Sequence, residues 1–166
     1  MSKREAVFTK DTENKKIQVV RTFDASLERV WAAWTQSDLL DKWWAPKPYH
    51  VETKSMDFSE GGYWLYAMVS PQGEKTWCIE KYKTIEPLER ITNVDAFCDE
   101  EGNPNDTAPL MHWKKEFAGT GNATTVHIEL RFDEETGMET ILKMGFEGGF
   151  TMGLNNLDEL LSRQEV

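Results

Sequence analysis

The sequence has little cysteine, little histidine, few basic residues and no long apolar run, and each shortage closes a class of function. Cys78 and Cys98 are its two cysteines. So few and so widely spaced, they give no disulfide framework and read as small core residues rather than reactive thiols. The three histidines, His50, His112 and His127, fall in separate segments without Cys-x-x-Cys or His-Glu-x-x-His spacing, so no metal centre is expected. His127 shares a strand face with Glu129, and the two read as a solvated cross-strand pair. Lys and Arg total 19 against 29 Asp and Glu, a formal net charge of −10. Such a surface repels phosphate backbones and anionic headgroups. No basic cluster is longer than Lys15-Lys16 or Lys114-Lys115, so no nucleic-acid partner is expected.

The longest apolar run, Trp64 to Val69, is far short of the roughly 20 residues a membrane helix needs. The opening MSKREAVFTKDTENKK has no apolar stretch of the signal-peptide kind. A soluble, cytoplasmic protein without membrane insertion is the expectation. No Gly-x-Ser-x-Gly elbow occurs, and the glycine-rich stretch Gly145 to Gly153 lacks the Lys-Ser/Thr that closes a phosphate-binding loop. With no catalytic motif, nothing in the sequence demonstrates an enzyme, and no cofactor is expected.

What the chain does have is aromatic residues, 11% of the total, with seven tryptophans among 166 residues. A chain of this length is most simply one domain, residues 1–166, able to bury roughly 70% of its unfolded surface. The first regular element runs from Ile17 to Phe23, where Ile17, Val19 and Phe23 share a strand face that Arg21 interrupts. A buried arginine there needs a carboxylate partner and is read as tying two elements together. Residues 1–16 are taken as an N-terminal segment attached to that first strand, with the core spanning about 17–161.

Ser26 is a good N-cap for a helix whose apolar stripe is Leu27, Val30, Trp31 and Trp34. A second short helix is expected from Ser37 to the stop at Pro46. From Tyr49 to Phe132 the chain reads as short strands broken by turn signals at Gly61-Gly62, Pro71 to Gly73, Pro87, Glu101 to Pro109, and Gly119 to Asn122. Val126, Ile128, Leu130 and Phe132 alternate cleanly with polar neighbours, which predicts an antiparallel meander with one wet face. Phe150, Leu154, Leu157 and Leu161 form one helical stripe, with Gly149 and Gly153 beside it positioned for close approach to another backbone. Strands in a run followed by one long helix indicate an α+β fold: a curved antiparallel sheet wrapped around the final helix, with two short helices closing the remaining edge.

The segments VVRTFDASLERVWAAWTQSDLLDKWWAP, DFSEGGYWLYAMVSPQG, YKTIEPLERI and GFTMGLNNLDELL, in that order, resemble the family related to the activator of heat-shock protein 90 ATPase. That family belongs to the START-like, helix-grip superfamily, together with birch-pollen-allergen-like proteins and polyketide cyclases. The resemblance runs from about Ile17 to Leu161 and implies a cavity between the sheet and the long helix. The chain departs from it at Glu80, where relatives usually carry glycine, and at Phe150, where many carry tryptophan, so ligand identity does not transfer.

The cavity candidates are Trp44, Trp64, Tyr66, Met68, Trp77, Glu80, Tyr82, Phe97, Trp113, Phe150 and Leu154. Aromatic and thioether side chains line apolar pockets, and a few polar groups among them orient the ligand. Glu80 and Tyr82 share a face, as do Ile91, Asn93, Asp95 and Phe97. A carboxylate on a dry cavity wall has a raised pKa, and Glu80 is the preferred candidate. In the pair Trp43-Trp44, Trp43 continues the spacing of Leu39 and Leu40 and is expected to anchor the short helix. Trp44 is then expected to point along the cavity mouth or outward.

Three functions fit these readings. The leading one is non-enzymatic binding of a small apolar or aromatic molecule, lipid-like or a metabolite. The second is a cyclase or hydratase type of enzyme using Glu80, Tyr82 or Asp95 as acid or base. The third is stimulation of the heat-shock protein 90 ATPase, which the net charge of −10 disfavours against an acidic chaperone. The edge of an open sheet leaves pairing with a second copy open as well.

Overall fold

The computed structural model describes residues 5–163, so the start of the N-terminal segment, residues 1–4, lies outside the described residues. Among the described residues eight strands make one sheet: β1 (Val7–Asp11), β2 (Lys16–Phe23), β3 (His50–Asp57), β4 (Tyr63–Val69), β5 (Lys75–Glu86), β6 (Arg90–Phe97), β7 (Met111–Thr120) and β8 (Ala123–Arg131). Their order is β1-β2-β8-β7-β6-β5-β4-β3, and every neighbouring pair is antiparallel. The meander from β3 to β8 is the expected one. A register shift between Thr53 and Ser55 in β3, and another between Tyr82 and Thr84 in β5, each insert one residue and bend the sheet. At the β3–β4 corner, a side chain on Gly62 would stand 2.1 Å from the Asp57 carbonyl oxygen, so only glycine fits.

The first strand of the molecule is not the one expected at Ile17. Val7–Asp11 forms a strand of its own and a hairpin with β2, turning where the Lys15 N–H donates to the Thr12 carbonyl at 3.1 Å. On β2, Ile17, Val19, Arg21 and Phe23 are all buried, so the arginine lies on the core face. Its Nη1 donates to Asn155 Oδ1 at 3.0 Å, and its Nη2 lies 3.6 Å from Asp158 Oδ2. Both partners belong to the C-terminal helix, so Arg21 joins sheet to helix as its placement predicts.

The helices are α1 (Leu27–Thr35), α2 (Ser37–Trp43), α3 (Glu135–Lys143) and α4 (Phe146–Arg163). Ser26 Oγ accepts from the Arg29 N–H at 3.3 Å, which caps α1. The helix α3 is absent from the sequence reading, which placed a single helix after the strands; its buried face consists of Met138 and Ile141. The helix α4 buries Phe150, Leu154, Leu157 and Leu161, the predicted stripe, together with Gly153, Asn156 and Leu160.

Contact between α2 and α4 is made through backbone. Gly153 faces the last carbonyls of α2, where an added Cβ would stand 3.2 Å from the Trp44 oxygen and 3.4 Å from the Trp43 oxygen. One turn on, Asn156 Nδ2 donates to the Ala45 carbonyl at 3.1 Å. These contacts give the carbonyls at the end of α2 a partner and seat the short helix on the long one. Gly153→Ala is therefore expected to destabilise by about 1 kcal/mol, although alanine is the better helix former. Gly148→Ala, where nothing lies within 4 Å of the added carbon, is expected to stabilise by a few tenths to about 1 kcal/mol. Urea unfolding of the two variants checks the opposite signs.

Trp43 does anchor α2: it is 1% exposed and its Nε1 donates to the Ala33 carbonyl at 2.8 Å. Trp44 does not point outward. It turns into the molecule and lies among the rings of Trp34, Trp43, Trp64, Trp113 and Phe150.

Candidate functional site

Beyond this aromatic centre the sheet and α4 diverge, leaving a cavity of about 400 Å³. That volume falls within the roughly 300–1,000 Å³ of small-molecule pockets. The sheet contributes Tyr66 and Met68 from β4, Thr76 and Cys78 from β5, Asp95 and Phe97 from β6, and Met111 and Trp113 from β7. Trp44 and Pro46 come from the end of α2 and the residues just after it, Ile141 from α3, Met144 and Gly145 from the turn that follows, and Phe146, Gly149 and Phe150 from the first turns of α4. Exposed Tyr49 and Met144 mark the mouth.

Six of the residues read from the sequence border this cavity: Trp44, Tyr66, Met68, Phe97, Trp113 and Phe150. Five do not. Trp77 lies on the opposite face of β5 from Cys78, packed against Leu65, Ile79 and Ala96, with Lys54 and Lys75 each 5.8 Å from its ring. Alternation along the strand excludes it from the face that holds Glu80 and Tyr82. Trp64 has the right face but sits deeper, stacked on Tyr66 at 3.9 Å, with its Nε1 donating to Thr53 Oγ1 at 3.0 Å. Leu154 is fully buried in the main core. Tyr82 is buried against Phe58, their rings 4.9 Å apart. Glu80 faces inward as expected but is turned to Lys115 rather than to the cavity.

The polar groups behind the wall form a compact cluster. Lys115 Nζ donates to Glu80 Oε1 at 3.3 Å, and both side chains are 2% exposed. The same ammonium lies 5.1 Å from the Trp113 ring, 5.5 Å from Trp44 and 5.6 Å from Trp34. Indole faces attract a cation through their negative quadrupole, so lysine is held by one carboxylate and three rings. Asp95 pairs with Glu80 in the β5–β6 register and accepts from Asn93 Nδ2 on Oδ1 at 2.7 Å.

Burial, and then the neighbouring Glu80 charge, hold the Asp95 carboxyl well above the usual carboxylate range. The folded chain thus keeps this proton where the unfolded chain has released it. Asp95 contributes most to stability below about pH 4, and that contribution declines as pH rises towards its folded-state pKa. Asp95→Asn removes the decline, so the difference in urea midpoint between variant and wild type is expected to move in the variant's favour from acid to neutral pH. A difference independent of pH contradicts this reading.

The other groups on the wall are quiet. Tyr66 accepts from Trp44 Nε1 at 3.0 Å, and burial raises its hydroxyl well above the usual phenol range. Burial likewise pushes the Cys78 thiol up to about 12, which leaves no thiolate for nucleophilic chemistry at neutral pH.

Lys115 enters the sequence reading only as part of a short basic pair, and Asp95 as a polar residue on the Ile91–Phe97 face and a candidate acid or base, with Glu80 preferred as the cavity carboxylate. A signal for Lys115 was present: Trp113, Lys115 and Phe117 alternate at strand spacing, and all three are buried on the inner face.

Among the described residues no group of three or more His, Cys, Asp or Glu could hold a metal ion. No helix among them is long and apolar enough to cross a membrane.

No curated protein matches the chain at a significant level. Solved structures do. A protein from Arthrobacter aurescens is 31% identical, with a TM-score of 0.89 over 94% of this chain and 91% of that one. A protein from Staphylococcus epidermidis is 28% identical, with a TM-score of 0.83 over 96% of each chain. The AHSA1 protein from Silicibacter pomeroyi, 18% identical over 90% of this chain and 99% of that one, shares the fold with a TM-score of 0.71. The fold is the helix-grip arrangement, a curved antiparallel sheet around a long C-terminal helix. The sequence model named Activator of Hsp90 ATPase homolog 1-like protein matches residues 24–162. The chain belongs to the family of activator of Hsp90 ATPase homolog 1-like proteins.

Proposed function

We propose that this chain is a binding protein that holds a small, largely apolar or aromatic molecule in the cavity beneath α4, in the cytoplasm and without turning it over. The observation that carries this reading is the cavity itself: about 400 Å³, walled by aromatic and methionine side chains, with one carboxyl group on the wall. Three methionines, Met68, Met111 and Met144, line it. Their flexible thioethers adapt to ligands of differing shape. The two free cysteines and the acidic surface agree with a cytoplasmic setting.

A thermal-shift screen with apolar and aromatic compounds tests it. A ligand at 100 times its Kd adds about 2.7 kcal/mol, which raises the Tm by roughly 5–10 °C in a domain of this size. Silence across such a library counts against the reading.

The adjacent Asp95 and Glu80 carboxyls support a second reading, acid–base catalysis of the cyclase or hydratase type. Turnover of a bound compound that Asp95→Asn abolishes, with binding intact, would favour it. The family's description also raises stimulation of Hsp90 ATPase. An ATPase assay with the purified chaperone decides that case, and no stimulation is expected from a chain of net charge −10.

A further inference from the structure

We infer that the cavity selects ligands with a hydrogen-bond acceptor, a ketone, aldehyde or quinone oxygen on an apolar or aromatic body, and seats that oxygen on the Asp95 carboxyl group. This rests on the binding reading above and names its ligand class.

Glu80, Asp95 and Lys115 are buried together, two carboxyls against one ammonium. The ammonium is committed: its Nζ donates to Glu80 Oε1 at 3.3 Å, inside the ring of three indoles. Asp95 receives the Asn93 amide instead, a neutral donor, at 2.7 Å. With 4% exposure and no cation of its own, this carboxyl retains its proton. Because Oδ1 accepts from Asn93, the hydroxyl is on Oδ2. Asp95 is also the carboxyl residue among those lining the cavity. Its hydroxyl therefore has two acceptors to choose between, the Glu80 carboxylate across the ladder and an oxygen that a ligand brings. Glu80 can give up that proton donor because Lys115 stays with it.

The rest of the wall holds one other buried donor without a partner among the described residues, the Trp113 Nε1–H, and a ketone preference that survives in Asp95→Leu would assign the oxygen to it instead. Tyr66 and Cys78 are engaged with each other, and Tyr66 also takes the Trp44 N–H. The remaining hydroxyls are those of Thr76 and, at the exposed mouth, Tyr49. A carboxylate ligand is disfavoured by Glu80 and by the overall charge of −10. A neutral carbonyl meets neither obstacle, and a protonated acid facing an apolar space is a strong donor to it.

Three probes sharing one aromatic body separate the alternatives: acetylnaphthalene, ethylnaphthalene and naphthylethylamine. Binding is read by quenching of tryptophan emission, since Trp44 and Trp113 are in the wall. The ketone is expected to bind roughly five- to thirtyfold more tightly than the hydrocarbon, the worth of one buried hydrogen bond. Asp95→Leu, similar in shape, brings the two within about twofold. Asp95→Asn, whose amide still donates, keeps part of the preference and serves where the leucine variant does not fold. Equal binding of ketone and hydrocarbon by the wild type overturns the inference while leaving the cavity reading in place. So does tighter binding of the amine than of the ketone, or a preference that survives in Asp95→Leu. Failure of all three probes to bind overturns both.

Discussion

Trp44→Ala is expected to cost about 4 kcal/mol in urea unfolding, a Tm loss of roughly 8–16 °C. The indole is 7% exposed and lies 5.3–6.0 Å, centroid to centroid, from the rings of Trp34, Trp43, Trp64, Trp113 and Phe150. Removing it strips edge-to-face contacts from several neighbours at once and leaves a void that a rigid sheet cannot close. It also takes the Nε1 donor from Tyr66. Trp44→Phe keeps most of the volume and loses that hydrogen bond, so about 1–2 kcal/mol is expected. Because the same ring borders the cavity, Trp44→Phe should also reduce the ligand-induced change in tryptophan emission. A stability loss below about 1 kcal/mol for the alanine variant would mean that Trp44 is not packed as described.

Lys115→Met is the second large effect, at about 3–5 kcal/mol. Methionine matches the lysine stem and fills the space between the three indoles, so packing alone predicts a small change. The loss comes from Glu80, whose carboxylate is left 2% exposed with no cation beside it and Asp95 across the ladder. Removing the second charge as well, in Lys115→Met with Glu80→Gln, is expected to restore most of the loss, since a buried ion pair contributes little beyond matched neutral groups. A double-mutant cycle in urea measures this directly. Additive losses would show that the two side chains do not act as a pair.

The contrast between these residues shows where the sequence was legible. Trp43 and the stop at Pro46 placed α2, and the alternation Val126, Ile128, Leu130 placed β8, because in each case one apolar face meets one core. The strand β1 escaped because it lies at the sheet edge, where Val7 is 61% exposed and no alternation marks a buried face. The helix α3 escaped because it is short, carries Gly137 in its first turn and buries only Met138 and Ile141.

Within the site, aromatic identity was a good guide only when combined with strand phase. Tyr66 and Met68 face the cavity in phase with each other, as do Trp113 and Met111. Trp77 is one residue out of phase with Cys78 and lies on the other side of the sheet. Lys115 was hidden for a different reason. A lysine in a strand reads as solvent-facing, and its partner Glu80 lies 35 residues away along the chain. The sheet order β5-β6-β7 brings the two onto one face, with Asp95 and Asn93 of β6 on the strand between them. Asp95's own burial, and then the Glu80 charge beside it, hold its carboxyl well above the usual carboxylate range on the cavity wall.

Native mass spectrometry of the freshly purified chain, before and after addition of acetylnaphthalene, tests the binding account most directly. The expected spectrum shows a small-molecule adduct that leaves on collisional activation and is lost in Met111→Trp, where a larger ring fills the cavity. Bare protein in both spectra would contradict the account, as would adducts that persist unchanged in Met111→Trp.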